Sequence, residues 1–144
     1  MRISDVLRGK GAEVVTVTPD TTVRDFVAIL VERRIGACVV SVDGQGVAGI
    51  VSERDVARGL HAHGPGVLDQ PVSAIATLEV VTAEPGDLVD DLTAMMTQRR
   101  IRHVPVVVDA RLVGLVSIGD AVKARMDELE TERAALVDYI SQAG

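Results

Sequence analysis

A stretch of this 144-residue chain occurs twice, and that repetition constrains the fold more than any other feature. Val14-Val15-Thr16-Val17-Thr18-Pro19 lies over Val80-Val81-Thr82-Ala83-Glu84-Pro85 at a shift of 66 positions. The same shift pairs Val23 with Val89, Asp25 with Asp91, Arg33-Arg34-Ile35 with Arg99-Arg100-Ile101, and Val42-Asp43 with Val108-Asp109. One residue is then deleted in a turn. After it, Gly49-Ile50-Val51-Ser52 meets Gly114-Leu115-Val116-Ser117, and Asp55 meets Asp120. A unit of roughly 60 residues buries little surface alone, so the two copies are expected to pack about a pseudo-twofold axis as one folding unit.

Each copy reads strand, helix, strand, strand, helix. The first helix, capped by Asp20 or Thr21, would bury Val23, Phe26, Val27, Leu30 and Val31 on one face; its counterpart carries Val89, Leu92 and Met96, with Met95 beside them. Apolar, β-branched runs at 37–42 and 104–108 are expected as buried strands, followed by third strands at 47–51 and 112–116. Asp43-Gly44 and Asp109-Ala110 supply the hairpin turns between them. Short helices follow, at 53–60 and from Ile118 into the tail. The expected class is α/β (α+β), with repeats at 3–60 and 72–123, a Gly- and His-containing linker at 61–71, and a C-terminal helix at 124–144. In that tail Met126, Leu129, Leu136, Val137 and Ile140 fall at helical spacing, as for a helix packed on its own domain or on a neighbour.

Aromatic residues make up 1% of the chain, so the core must be aliphatic. A net charge of −6 argues against bulk binding to DNA or RNA, and the lack of stacking platforms argues against single strands. No apolar run approaches the ~20 residues that span a bilayer, and the first residues lack the apolar stretch of a signal peptide. The lone Cys38 rules out an internal disulfide and suits a reducing compartment, so a cytoplasmic protein is expected.

Little here could catalyse. Cys38 sits in an apolar strand, as a buried inert thiol does. His61 and His63 lack partners at metal-ligand spacing and read as a solvated loop. Neither a Walker-type phosphate loop nor a dinucleotide fingerprint is present. The repeated Ser-x-x-Asp differs. Ser52-Glu53-Arg54-Asp55 and Ser117-Ile118-Gly119-Asp120 each stand where a buried strand turns into a helix. One reading is a capping box, with Ser accepting from a backbone N–H and the acid reaching back. The other is a ligand site, because a helix start favours phosphate and a carboxylate can take both hydroxyls of a ribose diol. The two are compatible.

The order of these marks, twice over, resembles a tandem CBS-domain pair, or Bateman module, from about Ile3 to Lys123. The marks are Val-Val-Thr-x-x-Pro opening each repeat, Arg-Arg-Ile before the second strand, His103-Val104-Pro105-Val106, and Gly-Ile-Val-Ser-x-x-Asp or Gly-Leu-Val-Ser-x-x-Asp at the close. The resemblance implies a non-catalytic regulator, needing no cofactor, that binds an adenine nucleotide (AMP, ADP or ATP), or else S-adenosylmethionine or NAD, in clefts between the repeats. It implies Asp55 and Asp120 on the ribose hydroxyls and Ser52 and Ser117 at ribose or phosphate. It also implies backbone near Val15-Thr16 and Val81-Thr82 on the adenine edge, and Arg54, Arg102 and His103 on phosphate. It implies a homodimer as well, and a separate regulated protein as partner; an association module with vestigial clefts is the competing expectation. The copies differ where Gly36-Ala37 stands for Arg102-His103, Cys38-Val39 for Val104-Pro105, and Gly119 for Arg54. Unequal sites are therefore expected, with the Asp120 site taking the more negatively charged ligand, helped by Arg102 and by a His103 of ordinary pKa.

Overall fold

The computed structural model describes residues 1–11 and 13–143. Ala12, inside the expected first repeat, and Gly144, the last residue of the expected tail, lie outside the described residues. The chain runs α1 (Ile3–Lys10), β1 (Thr16–Val17), α2 (Val23–Arg33), β2 (Ala37–Val40), β3 (Gly49–Ser52) and α3 (Glu53–His63). After two 3-10 turns, Pro65–Asp69 and Val72–Ala74, come α4 (Val89–Arg99), β4 (His103–Val108), β5 (Arg111–Ser117) and α5 (Ile118–Ala143). The architecture is mixed α/β and repeats as expected. β1 pairs in parallel with β2, and β2 antiparallel with β3; β4 and β5 form the equivalent hairpin. In the second copy the first strand shrinks to a single bridge, Ala83 to Val106, at the place where Val17 meets Val40 in the first.

Several local expectations are corrected. Thr22 caps α2, accepting from the Asp25 N–H at 3.1 Å, while Thr18, Asp20 and Thr21 bond among themselves in the preceding turn. The opening strands are much shorter than the repeated Val-Val-Thr-x-x-Pro: two residues pair with β2 in the first copy, and one bridges to β4 in the second. β2 stops at Val40, since Ser41 and Asp43 turn the chain by accepting from the N–H groups of Gly44, Gln45 and Gly46. That leaves Val42 76% exposed. Val31 is 73% exposed, because it falls outside the face on which α2 buries Val23, Phe26 and Leu30 and packs Val27 beside them. His61 and His63 lie in the last turn of α3 rather than in a loop.

The sequence reading missed an exchange of lead-in segments. Helix α1 opens the first repeat in the sequence, yet Ile3 and Val6 are buried in the core of the second, with Val89, Leu92, Met96 and Val104. Val72, with Ile75 and Ala76 packed beside it, lies in the core of the first repeat with Val23, Phe26, Leu30 and Val51. The bonds mirror each other. Ile3 and Ser4 donate to the carbonyls of Asp87 and Pro85, and Val72 and Ser73 donate to those of Thr21 and Pro19. Each lead-in crosses a glycine of the sheet it covers. A Cβ on Gly49 would stand 2.9 Å from the Thr77 carbonyl oxygen, and one on Gly114 would stand 2.6 Å from Leu7. Full burial of a side chain the size of Ile3 or Val72 stabilises by about 1.5–3 kcal/mol, so each repeat depends on the other to complete its core.

Candidate functional site

Both Ser-x-x-Asp segments form capping boxes. The Ser52 N–H donates to Asp55 Oδ2 at 2.8 Å and the Asp55 N–H to Ser52 Oγ at 3.4 Å. The Ser117 N–H donates to Asp120 Oδ2 at 2.9 Å and the Asp120 N–H to Ser117 Oγ at 3.0 Å. Among the described residues, capping engages only Oδ2 of each carboxylate. Each Asp also stands at the wall of a cavity.

The Asp55 cavity measures about 370 Å³, and the second repeat supplies its far wall: Arg100, Ile101, Arg102 and His103. Ser52, Glu53, Arg54 and Arg58 line the near side, with Ile50 and Thr77 at one edge. The Asp120 cavity measures about 310 Å³ and mirrors this arrangement, with Arg34, Ile35, Gly36 and Ala37 opposite Ser117. Both volumes suit a small organic ligand. The cleft walls therefore cross over. Arg102 and His103 begin the strand that pairs with Ser117, yet Arg102 faces the cavity of Asp55. The expectation that Arg102 serves the Asp120 site is corrected. Sequence proximity to Ser117 says only which strand Arg102 adjoins, whereas the pseudo-twofold axis turns that strand start toward the other repeat.

His103 lines both cavities. Gly36 makes room for it, since a Cβ there would stand 3.4 Å from the ring. Burial pushes the His103 pKa below its ordinary value, against the pull of Glu53 and Asp120, so the expected ordinary pKa is corrected.

Arg100 and Arg34, the second arginines of the repeated Arg-Arg-Ile, end α4 and α2 in the left-handed conformation, each at φ 55°. Glycine would suit that backbone better. Arg100 lines the Asp55 cavity and Arg34 the Asp120 cavity, so each cleft gains a cationic residue at a small conformational cost.

Among the residues lining the clefts, Val15 is found in the Asp120 cavity, while Thr16, Val81, Thr82 and Pro105 are in neither. Thr77, which the sequence reading did not single out, lines the Asp55 cavity. Sequence reasoning missed Arg58, which falls one turn after Arg54 on α3 and could have been found by that spacing. It also missed Lys10, which no repeat counterpart signals. Lys10 Nζ donates to Asp120 Oδ2 at 2.5 Å and to the Leu115 carbonyl at 2.7 Å. Burial would raise the Asp120 pKa, but the Lys10 ammonium and the Ser117 N–H outweigh it and hold the carboxyl below its ordinary value. Elsewhere, burial pushes the Cys38 thiol up to about 11, out of nucleophilic range at neutral pH. Among the described residues no group of three His, Cys, Asp or Glu could hold a metal ion, and no helix is long and apolar enough to cross a membrane.

Residues 3–62 and 72–127 both match the family model of the CBS domain. The chain belongs to the CBS-domain family. It is 38% identical over 146 residues to a mitochondrial CBS domain-containing protein of Arabidopsis thaliana, covering 96% of this chain and 71% of that one. A CBS-domain containing protein from Agrobacterium tumefaciens shares its fold at a TM-score of 0.84 and 41% identity, covering 87% of this chain and 99% of that one. A CBS domain protein from Pyrobaculum aerophilum, solved in complex with AMP, matches at a TM-score of 0.74 and 30% identity, covering 83% of this chain and 89% of that one. CBS pairs of this kind are regulatory ligand-binding modules, and no catalytic family is indicated for this chain.

Proposed function

We infer that this CBS pair is a non-catalytic sensor that binds an adenosyl ligand of the AMP, ADP or ATP class between its repeats and signals occupancy to a separate regulated protein. One observation carries the reading. Each capping-box Asp bonds within the box through Oδ2 and lines a cavity whose far wall comes from the other repeat. A carboxylate so placed accepts a ribose diol, Ser52 or Ser117 assists it, and the cleft cations meet phosphate. The AMP complex of the Pyrobaculum relative supports the ligand class. A ligand held by both repeats favours one relative setting of them, and that setting is what a partner would read. A cytoplasmic setting is part of this reading, in keeping with the single buried Cys38.

The complete capping boxes favour one rival, an association module whose Ser and Asp only stabilise helix starts. The mass of any small molecule released on denaturing the purified protein separates the two, together with calorimetry across AMP, ADP, ATP, S-adenosylmethionine and NAD. Heat with an adenine nucleotide that is recovered unhydrolysed is the expected result. No heat and no thermal shift with any of them would leave the rival standing.

The same reading includes a homodimer through α5. Met126, Leu129, Leu136 and Ile140 are 48–64% exposed and fall on the a and d positions of a heptad, with Arg133 at the remaining one. A parallel second copy sets Arg125 of one helix beside Glu130 of the other, an attractive pair at the flanking positions. Light scattering should give twice the chain mass, and Leu136→Glu should halve it; a monomeric wild-type chain refutes this.

A further inference from the structure

We propose that the two clefts are sorted by charge, the Asp55 cleft taking a nucleoside di- or triphosphate and the Asp120 cleft being held shut to ligands by Lys10. The proposal rests on the adenosyl reading above and adds which cleft is open, to what, and which side chain decides it.

The Asp55 cavity carries four guanidinium groups (Arg54, Arg58, Arg100 and Arg102) with His103, against the carboxylates of Glu53 and Asp55. It is a positive site on a chain whose net charge is −6. Guanidinium groups cannot be deprotonated at working pH and offer paired donors to phosphate oxygens. Four of them exceed what a single phosphate needs, which is the reason for assigning a di- or triphosphate. The Asp120 cavity holds Lys10 and Arg34 against Glu13 and Asp120, with His103 shared, so its fixed charges balance.

The difference is sharpest at the carboxylates. In the first repeat the Ile50 carbonyl accepts from the Thr77 backbone N–H at 2.9 Å, and the lead-in brings no cation to Asp55. In the second, the equivalent Leu115 carbonyl accepts from Lys10, whose ammonium also holds Asp120. One lead-in thus closes the cleft edge with backbone, the other with a charge that reaches into the site. Lys10 holds Asp120 through Oδ2, the oxygen the capping box also uses, and itself lines the cavity. A diol approaching Oδ1 therefore meets a carboxylate already neutralised by an ammonium, in a partly buried place where such a bond is strong. Displacing Lys10 also disturbs the end of α1, whose Leu7 covers Gly114. Binding there would therefore be felt by the lead-in helix, and so by the exchanged cores.

Calorimetric titration of ADP, adenosine and inorganic triphosphate tests this on the full chain and on Asp55→Ala, Asp120→Ala and Lys10→Met. The wild-type chain should bind one ADP, and Asp55→Ala should weaken it at least tenfold more than Asp120→Ala does. Triphosphate alone should compete with ADP. Lys10→Met keeps the length of the side chain without its charge and should add a second equivalent of adenosine, while the Asp120 carboxyl, followed by NMR, titrates at higher pH. Equal losses from the two Asp variants overturn the sorting. A Lys10→Met chain that gains no second equivalent overturns the latch, and one that loses affinity makes Lys10 a ligand contact instead. No heat with ADP or adenosine in any variant removes the adenosyl reading itself, and heat with triphosphate alone would then leave only the charge sorting.

Discussion

The Asp55 and Asp120 clefts come from two copies of one repeat, occupy mirrored places, and have the same capping box at their base. They differ in the residues that approach from the other repeat. Arg100 and Arg102, with Arg54 and Arg58 of α3, line the Asp55 cavity, whereas Arg34, Gly36 and Ala37 line that of an Asp120 already bonded by Lys10. Duplication kept the acid, the serine and the glycine in both copies and let the walls diverge. A pair of sites can therefore keep one geometry and still differ in ligand charge. The positions that set that charge lie opposite the motif rather than within it.

The largest expected effect on this contrast is in nucleotide affinity. A charge-assisted hydrogen bond contributes about 1.5–3 kcal/mol, so Arg58→Ala and Arg102→Ala should each weaken ADP binding by roughly tenfold to a hundredfold, and Arg34→Ala by far less. Comparable losses for Arg34→Ala would erase the contrast. Next comes stability at the two glycines. Gly49→Ala drives a methyl into the Thr77 carbonyl and should cost roughly 1–3 kcal/mol in chemical unfolding. Gly114→Ala meets only the flexible end of Leu7 and should cost less. The reverse order would mean that the lead-ins are not equivalent in the way their bonds suggest.

A smaller and opposite pair of effects belongs to Arg100. Arg100→Gly relieves a left-handed residue and should leave the fold as stable or more so, by up to about 1 kcal/mol, while still weakening ADP. A variant that loses both would show that Arg100 is structural.

The smallest effects are in pH dependence. Asp120 has a folded pKa below its ordinary 3.8, so its contribution is complete above that value and is lost as pH falls through the lowered folded pKa; Lys10→Met should flatten this dependence. His103 has a folded pKa below 6.5, so the unfolded chain takes up the proton first. Acidification from about pH 6.5 should therefore destabilise the ligand-free protein, and His103→Gln should remove that slope. Thermal melts across pH check both.

Much of this was legible beforehand because duplication doubles every signal. The alternation of apolar runs, the helix starts and the paired Ser-x-x-Asp each appear twice, so accidents in one copy are filtered by the other. Short-range physics governs these features, since strand pairing, capping and helix spacing involve residues a few positions apart. What that reading missed is long-range. Lys10 meets Asp120 across 110 positions, and α1 has only the 3-10 turn Val72–Ala74 as its counterpart, so duplication does not double its signal.

The sequence by itself determined the repeat, the mixed α/β class, the aliphatic core and the two carboxylates at helix starts, all of which rest on residue type and local spacing. Only the tertiary structure decided that the lead-ins are exchanged, that Arg102 lines the cavity of Asp55 rather than that of Asp120, and that Lys10 bonds Asp120. The reason is physical. A pseudo-twofold axis brings each strand start to the opposite repeat, and the side chains that meet across such an axis share no periodicity that a linear pattern could carry.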